Sequence, residues 1–353
     1  MAWCSPFTTL RVGAESNLHI GLTLLKRLLK TTRPENQSEG LDYLLSRCNL
    51  LIAEQADTKA ETIAADALAT YDRLPALGRK RFFEHLADDF GPDPGAIASL
   101  ARRFAHSEAP QDLMALRAAM ESPRIDLLRR LNRAPDGTAA IVRMRAELLK
   151  SDQQSRHLCA FSDEIRNLLQ LWFDPGFLKL ERVDWQSPAA LLEQLIEFEA
   201  VHQIDGWSDV RRRLDSDRRC YAFFHPVMPQ VPLFFVEVAL LETMPQAIAP
   251  LLDRRGSPTT NSDKYRVAAC YSMSNCQPGL RGVQLGSSLL RQVASALRDE
   301  LPVLDHFCTL SPVPGFSSWL STVKRLSSAA LKSAAVQQLN QDLSALRGQY
   351  GLG

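Results

Sequence analysis

Between Tyr271 and Val293 a strand end runs into a loop carrying Gly279, Gly282 and Gly286 and then into an amphipathic run, and few folds accommodate that succession. Glycines let the backbone turn tightly and approach a ligand closely. The apolar spacing from Val283 to Leu297 predicts a helix whose first N–H groups face the loop, an arrangement that attracts phosphate. Strands are predicted over Tyr265 to Ser274 and over Asp305 to Leu310, so the segment reads as one crossover unit of strand, helix and parallel strand. Its glycine loop then falls at a strand's carboxyl end, where open sheets bind ligands.

Upstream the pattern is different. Residues 1–172 carry helix signals and almost no strand signals, with apolar residues at helical spacing over Leu18 to Leu29, Leu41 to Glu54, Lys59 to Leu74 and Arg79 to Phe90. Thr31 to Gly40 reads as a linker. Asp93 as N-cap with Pro94 at the first helical position opens Ala96 to His106, and Gln111–Met120, Pro123–Asn132, Gly137–Lys150 and Asp163–Trp172 complete an all-α N-terminal domain.

The character changes at Asp174-Pro-Gly. Residues 173–353 then read as a second domain: a strand over Phe177 to Val183, helices over Ala189 to Ala200 and Trp207 to Leu214, and strands over Arg219 to Phe224 and Leu233 to Leu240. The last two, bounded by proline-rich turns, form an antiparallel pair. A helix over Met244 to Leu252 and a loop over Asp253 to Asp263 lead into the crossover, and the whole is α+β with a mixed sheet.

Lys plus Arg number 41 and Asp plus Glu 40, so no overall field recruits nucleic acid or an anionic membrane, and any phosphate site is local. The seven cysteines are scattered without a C-x-x-C spacing, which speaks against a disulfide framework or a zinc site. No apolar run is long enough for a membrane span, and a cytoplasmic protein is expected. His19, His85, His106 and His157 occur singly, which makes them surface or packed imidazoles rather than ligands. A helical domain without visible chemistry suggests self-association, hence a homo-oligomer.

The loop Leu280-Arg-Gly-Val-Gln-Leu-Gly-Ser-Ser-Leu-Leu290 resembles the acyl-CoA loop of the N-acetyltransferase superfamily. Its neighbours sharpen the resemblance: Arg219-Cys-Tyr-Ala-Phe-Phe-His-Pro226, Pro232-Leu-Phe-Phe-Val-Glu-Val-Ala-Leu240, Tyr271 to Gly282, and Thr309-Leu-Ser-Pro-Val-Pro-Gly-Phe316. With Phe90-Gly-Pro-Asp-Pro94 and Leu131-Asn-Arg-Ala-Pro-Asp-Gly137, these stretches are similar to the malonyl-CoA decarboxylase family over about residues 40 to 325. That resemblance implies a helical oligomerisation domain followed by an acetyltransferase-like catalytic domain that converts malonyl-CoA to acetyl-CoA and carbon dioxide without a metal or organic cofactor.

On the same resemblance, Arg281, Gly282, Val283, Gln284, Leu285, Gly286 and Ser287 hold CoA, and Ser311 binds the malonyl carboxylate or the developing enolate. Gln284 stands where some relatives carry an acidic residue. His225 reads as structural, His306 lies on the strand face opposite Ser311, and Glu237 is either a buried acid near the site or, like most single polar residues on a strand, faces solvent. The family's proton-donating histidine lies in a later Asn-Pro-Val-Ala-x-Phe-His segment, and residues 317–353 contain no histidine. The expectation is a chain that stops short of it, ending in helices over Ser317–Val323 and Ser328–Leu346, with a CoA-binding or assembly fragment lacking turnover as the alternative.

Overall fold

The computed structural model describes residues 37–54, 57–151, 155–253, 261–313, 315–323 and 333–349. The expected helix Leu18–Leu29, the linker up to residue 36, most of the Asp253–Asp263 loop, the start of the Ser328–Leu346 helix and residues 350–353 lie outside them. The chain divides into two compact units, one ending at Leu169 and the other beginning at Gln170.

Among its described residues the first unit is helical: α1 (Gln37–Ala53), α2 (Asp57–Arg73), α3 (Ala76–Asp88), α4 (Pro94–Ser107), α5 (Pro110–Met120), α6 (Pro123–Leu131), α7 (Gly137–Lys150) and most of α8 (Arg156–Trp172). Apolar residues three and four apart give each core helix one stripe to bury. Leu44, Cys48 and Leu51 of α1, Ala64, Ala67 and Tyr71 of α2, and Phe82, Phe83 and Leu86 of α3 are all buried. Tyr71 lies 5.7 and 5.9 Å from the Phe82 and Phe83 rings. α8 starts at Arg156 rather than Asp163, because Leu158, Phe161, Ile165 and Leu169 make one continuous buried stripe. Asp93 caps α4 as its spacing predicts, accepting from Gly95 N–H at 2.8 Å and Ala96 N–H at 3.2 Å. No residue of α4 or α5 is buried.

One buried cation stitches the helices. Arg124 of α6 donates from Nε and Nη2 to Glu164 at 2.9 and 2.6 Å and from Nη1 to the Ala87 carbonyl at 2.7 Å. Such a bidentate pair fixes geometry as well as charge.

The second unit is built on a five-stranded sheet of order β1-β2-β3-β4-β5: β1 (Lys179–Val183), β2 (Arg218–Phe224), β3 (Phe234–Leu241), β4 (Val267–Asn275) and β5 (His306–Thr309). The first four pair antiparallel, and β5 lies parallel to β4, as the crossover requires. Between β1 and β2 run α9 (Ala189–Phe198) and α10 (Trp207–Arg213), and between β3 and β4 a short α11 (Ala249–Leu252). Leu192 and Leu195 of α9 and Val210 of α10 pack on Cys220, Ala222 and Phe235 of the sheet. α12 (Gly286–Glu300) is the crossover helix, followed by α13 (Phe316–Thr322) and α14 (Ser333–Gln349). The arrangement is α+β.

Two predicted elements are shorter than their apolar patterns. Phe177 belongs to a turn, and strand β1 starts only at Lys179. Of Met244–Leu252 only Ala249–Leu252 is helical, because Pro245 lacks an N–H and biases its predecessor to extended backbone.

Gly137 opens α7 against the preceding turn. A Cβ there would lie 2.7 Å from the Leu131 carbonyl oxygen and 2.8 Å from the Asn132 backbone. Gly137→Ala is expected to destabilise the protein by about 1–3 kcal/mol through overpacking. Thermal unfolding of the variant checks it, with Gly348→Ala, whose Cβ meets nothing within 4 Å, as the harmless control.

Candidate active site

The register of β3 and β4 slips once. Glu237 faces Ser272 and Val238 faces Cys270, which leaves Tyr271 as an extra residue in β4. A bulge of this kind bends its strand and disrupts the ladder locally. On the other edge, β5 accompanies β4 only from Val267 opposite His306 to Cys270 opposite Thr309, and Leu310 N–H closes the ladder on the Cys270 carbonyl at 2.9 Å. From the bulge onward β4 keeps β3 and has no strand on its β5 side among the described residues.

The loop that follows β4 is anchored from beneath. Leu280, Val283 and Leu285 are buried, while Arg281, Gly282 and Gln284 are exposed above them. Gly282 has φ +83°, a conformation that favours glycine. α12 begins at Gly286 rather than the predicted Val283, since Val283 and Leu285 serve as anchors of the loop. Leu285 at the cap has no oxygen for the first-turn N–H groups, and the positive end of α12, at Gly286 and Ser287, is left without a side-chain cap. Gln284 is held by its backbone: its N–H donates to Gln170 Oε1 at 2.6 Å, and its carbonyl accepts from Gln170 Nε2 at 3.4 Å. A Cβ on Gly286 would come within 3.2 Å of Met273 Cε, so the helix start neighbours the unpaired end of β4.

Ser311 is exposed one residue beyond Leu310, which packs on the cluster of Ala239, Leu251 and Tyr271. The 281–287 loop and Ser311 therefore follow the carboxyl ends of adjacent parallel strands. His306 is exposed at the far end of β5. His225 is structural: its Nε2 lies 3.0 Å from the Trp172 carbonyl and its ring 4.9 Å from Phe173, and burial lowers its pKa.

Of the two readings of Glu237, the buried acid is the one the structure bears out. It is 0% exposed, because β3 is covered on both faces, and Arg213 Nη1 donates to it at 2.6 Å. Arg213 also pairs with Asp209 at 3.2 Å, and Arg212 grips Asp217 at 2.6 and 3.0 Å. Burial pushes the Glu237 carboxyl up to about 7, with Arg213 opposing and the Glu199 charge assisting. Glu199 is a second buried acid, accepting from the hydroxyls of Ser272 at 2.7 Å and Ser274 at 2.8 Å. The sequence signal for this cluster was the coincidence of Arg212 and Arg213 in a short basic helix with alternating serines on β4. Desolvation raises the thiols of Cys220, Cys276 and Cys270, the last to about 12, which leaves them unreactive. No group of three or more metal-binding side chains occurs among the described residues, and none of their helices is long and apolar enough to cross a membrane.

Residues 90–173 match the malonyl-CoA decarboxylase N-terminal domain and residues 176–348 the C-terminal domain. The crystal structure of malonyl-CoA decarboxylase from Agrobacterium vitis superposes with a TM-score of 0.76 at 40% identity, over 84% of this chain and 72% of that one. The chain belongs to the malonyl-CoA decarboxylase family. The Rhodopseudomonas palustris malonyl-CoA decarboxylase structure is similar at 39% identity and TM-score 0.75, covering 85% of this chain and 73% of that one. The mitochondrial malonyl-CoA decarboxylase of Anser anser anser is 32% identical over 326 residues, 84% of this chain, and that of Rattus norvegicus 35% identical over 284 residues, 76% of this chain. The chain spans 65% and 58% of the lengths of these two relatives.

A carboxyl whose folded pKa is raised contributes stability that is complete below its unfolded value, 4.5, and lost as pH rises through about 7. Between those limits the protein is expected to lose stability as pH rises, and Glu237→Gln is expected to flatten that slope by about 1–3 kcal/mol. Urea midpoints at pH 5 and pH 8 for both proteins read it directly.

Proposed function

We propose that this chain decarboxylates malonyl-CoA to acetyl-CoA and carbon dioxide, with Arg281 to Ser287 holding the CoA phosphates and Ser311 assisting at the acyl end. The observation that carries the reading is the parting of β5 from β4 at the Tyr271 bulge, directly beside the uncapped start of α12. An extended thioester arm fits along the open edge of β4 while its pyrophosphate meets the α12 N–H groups and the exposed Arg281.

The reaction breaks the bond between the α-carbon and the carboxylate. The electron pair moves into an enolate whose charge collects on the thioester oxygen, carbon dioxide leaves, and the carbon then takes a proton. The thioester is its own electron sink, so the protein's task is to hold the handle, stabilise the oxyanion and deliver the proton. Ser311, exposed at the end of β5, is the hydroxyl this reading places against the carboxylate or the enolate.

Self-association through the first unit is the proposed partner interaction, supported by Leu113, Met114 and Met120, which stand 41–62% exposed on α5. A monomer mass by light scattering would remove that part.

Arg281→Ala is expected to weaken CoA binding about five- to tenfold, measured by calorimetry, as the loss of one charge-assisted contact. Ser311→Ala is expected to leave CoA affinity unchanged and slow carbon dioxide release about 10²-fold. Full turnover by Ser311→Ala removes that residue from the mechanism. CoA binding by the unaltered chain with no carbon dioxide release favours the second reading, a CoA-binding or assembly protein without turnover.

A further inference from the structure

The turn between α9 and α10 is fixed from both sides. On one side Glu199 Oε1 accepts from the N–H groups of Val201 and His202 at 3.0 and 2.7 Å, and Ala200 N–H donates to Ser274 Oγ at 3.1 Å. On the other, Arg213 Nη2 donates to the carbonyls of His202 and Gln203 at 2.8 and 3.2 Å. Through the Ser272 and Ser274 hydroxyls on Glu199, the turn is tied to the stretch of β4 past the bulge, where β5 no longer pairs.

This rigid turn presents His202. Its Nε2 is buried and has no hydrogen-bond partner among the described residues. Its ring centroid lies 6.4 Å from that of Tyr271, the bulge residue, and Leu310, the neighbour of Ser311, packs on the cluster that Tyr271 forms with Ala239 and Leu251. A buried polar atom left unpaired costs about 1–3 kcal/mol. A histidine that merely fills space is ordinarily partnered, as His225 is by the Trp172 carbonyl. His202 is instead clamped through its backbone with its ring nitrogen unused, at the end of the sheet where β4 is open.

We propose that His202, with its proton on Nε2, donates a hydrogen bond to the thioester oxygen of the bound acyl-CoA, the atom on which the enolate charge collects. This rests on the decarboxylase reading of the site. It makes His202 a catalytic residue supplied by the turn between α9 and α10, on an element different from both the 281–287 loop and Ser311. Preorganised donors at a developing oxyanion act strongly because they need no rearrangement as charge builds.

The test compares CoA with acetyl-CoA, which carries the thioester oxygen but does not turn over. Calorimetric titration of the full chain is expected to show CoA affinity unchanged in His202→Phe, and the preference for acetyl-CoA over CoA reduced about fivefold or more. Release of carbon dioxide from malonyl-CoA is expected to fall about 10²-fold, the effect of removing one oxyanion donor. His202→Gln, which keeps an N–H donor, is expected to recover part of both losses. In the unaltered protein the ¹⁵N resonance of His202 Nε2 should shift on addition of acetyl-CoA and stay put with CoA, a readout that needs no variant to fold. An unchanged ratio in both variants, or an Nε2 resonance indifferent to acetyl-CoA, overturns the proposal while leaving the CoA site standing. An unaltered chain that binds neither ligand overturns the CoA reading and this assignment with it.

Discussion

The second unit is organised around one buried polar cluster in its core, Arg213 with Asp209 and Glu237. Taking charges out of water is costly, and the structure offsets that cost by giving the guanidinium four acceptors: Glu237 at 2.6 Å, Asp209 at 3.2 Å and the carbonyls of His202 and Gln203. The pair of Arg213 and Glu237 joins α10 to the middle of β3, at the residue where the β3–β4 register slips. The bulge and the ion pair are thus one construction.

The consequences for the rest of the sheet are geometric. Because Tyr271 is the inserted residue, β4 changes course where β5 stops pairing with it, and the sheet opens at its carboxyl end. The glycine-bearing loop then has somewhere to go: Leu280, Val283 and Leu285 sink into the core, and α12 starts against Met273 on the open stretch. The Glu199 latch works on the same stretch through Ser272 and Ser274. One end of the site is set by anchored apolar side chains under a loop, and the other by hydrogen bonds to buried acids.

The crossover was legible in the sequence because its signals are local: a strand pattern, glycines and a helical period lie within one short segment, and the antiparallel pairing of β2 with β3 is implied by proline-bounded turns. So were the cap at Asp93 and the helical character of the first unit. The start of α12 was misplaced because Val283 and Leu285 fit a helical period equally well as loop anchors. The burial of Glu237 could be considered but not decided, since it depends on Arg213, 24 positions away, arriving from another element. The Glu199 latch spans 73 and 75 positions, and His202 gains its setting only through it. Local periodicity reports faces and turns, while a polar cluster is specified by pairings that only the tertiary fold brings together.

The two ends of this site answer to different physical demands, and the structure separates them accordingly. On the proposed reading the phosphate handle would meet N–H groups and an exposed arginine that water also reaches, and that end is a solvent-facing loop with Gly282 and Gln284 on its surface. An enolate forms only briefly, and stabilising it requires donors that are already in place and shielded. On the proposed reading the residues around the bulge would meet that requirement: Tyr271 is 1% exposed, Glu199 is engaged by Ser272, Ser274, Val201 and His202, and Arg213 fixes the backbone of the turn that carries the imidazole. A buried ionic cluster adds little stability for its size. Its placement directly behind the open edge of β4 makes rigidity there, at what the proposed reading takes as the acyl end, the function that would account for it.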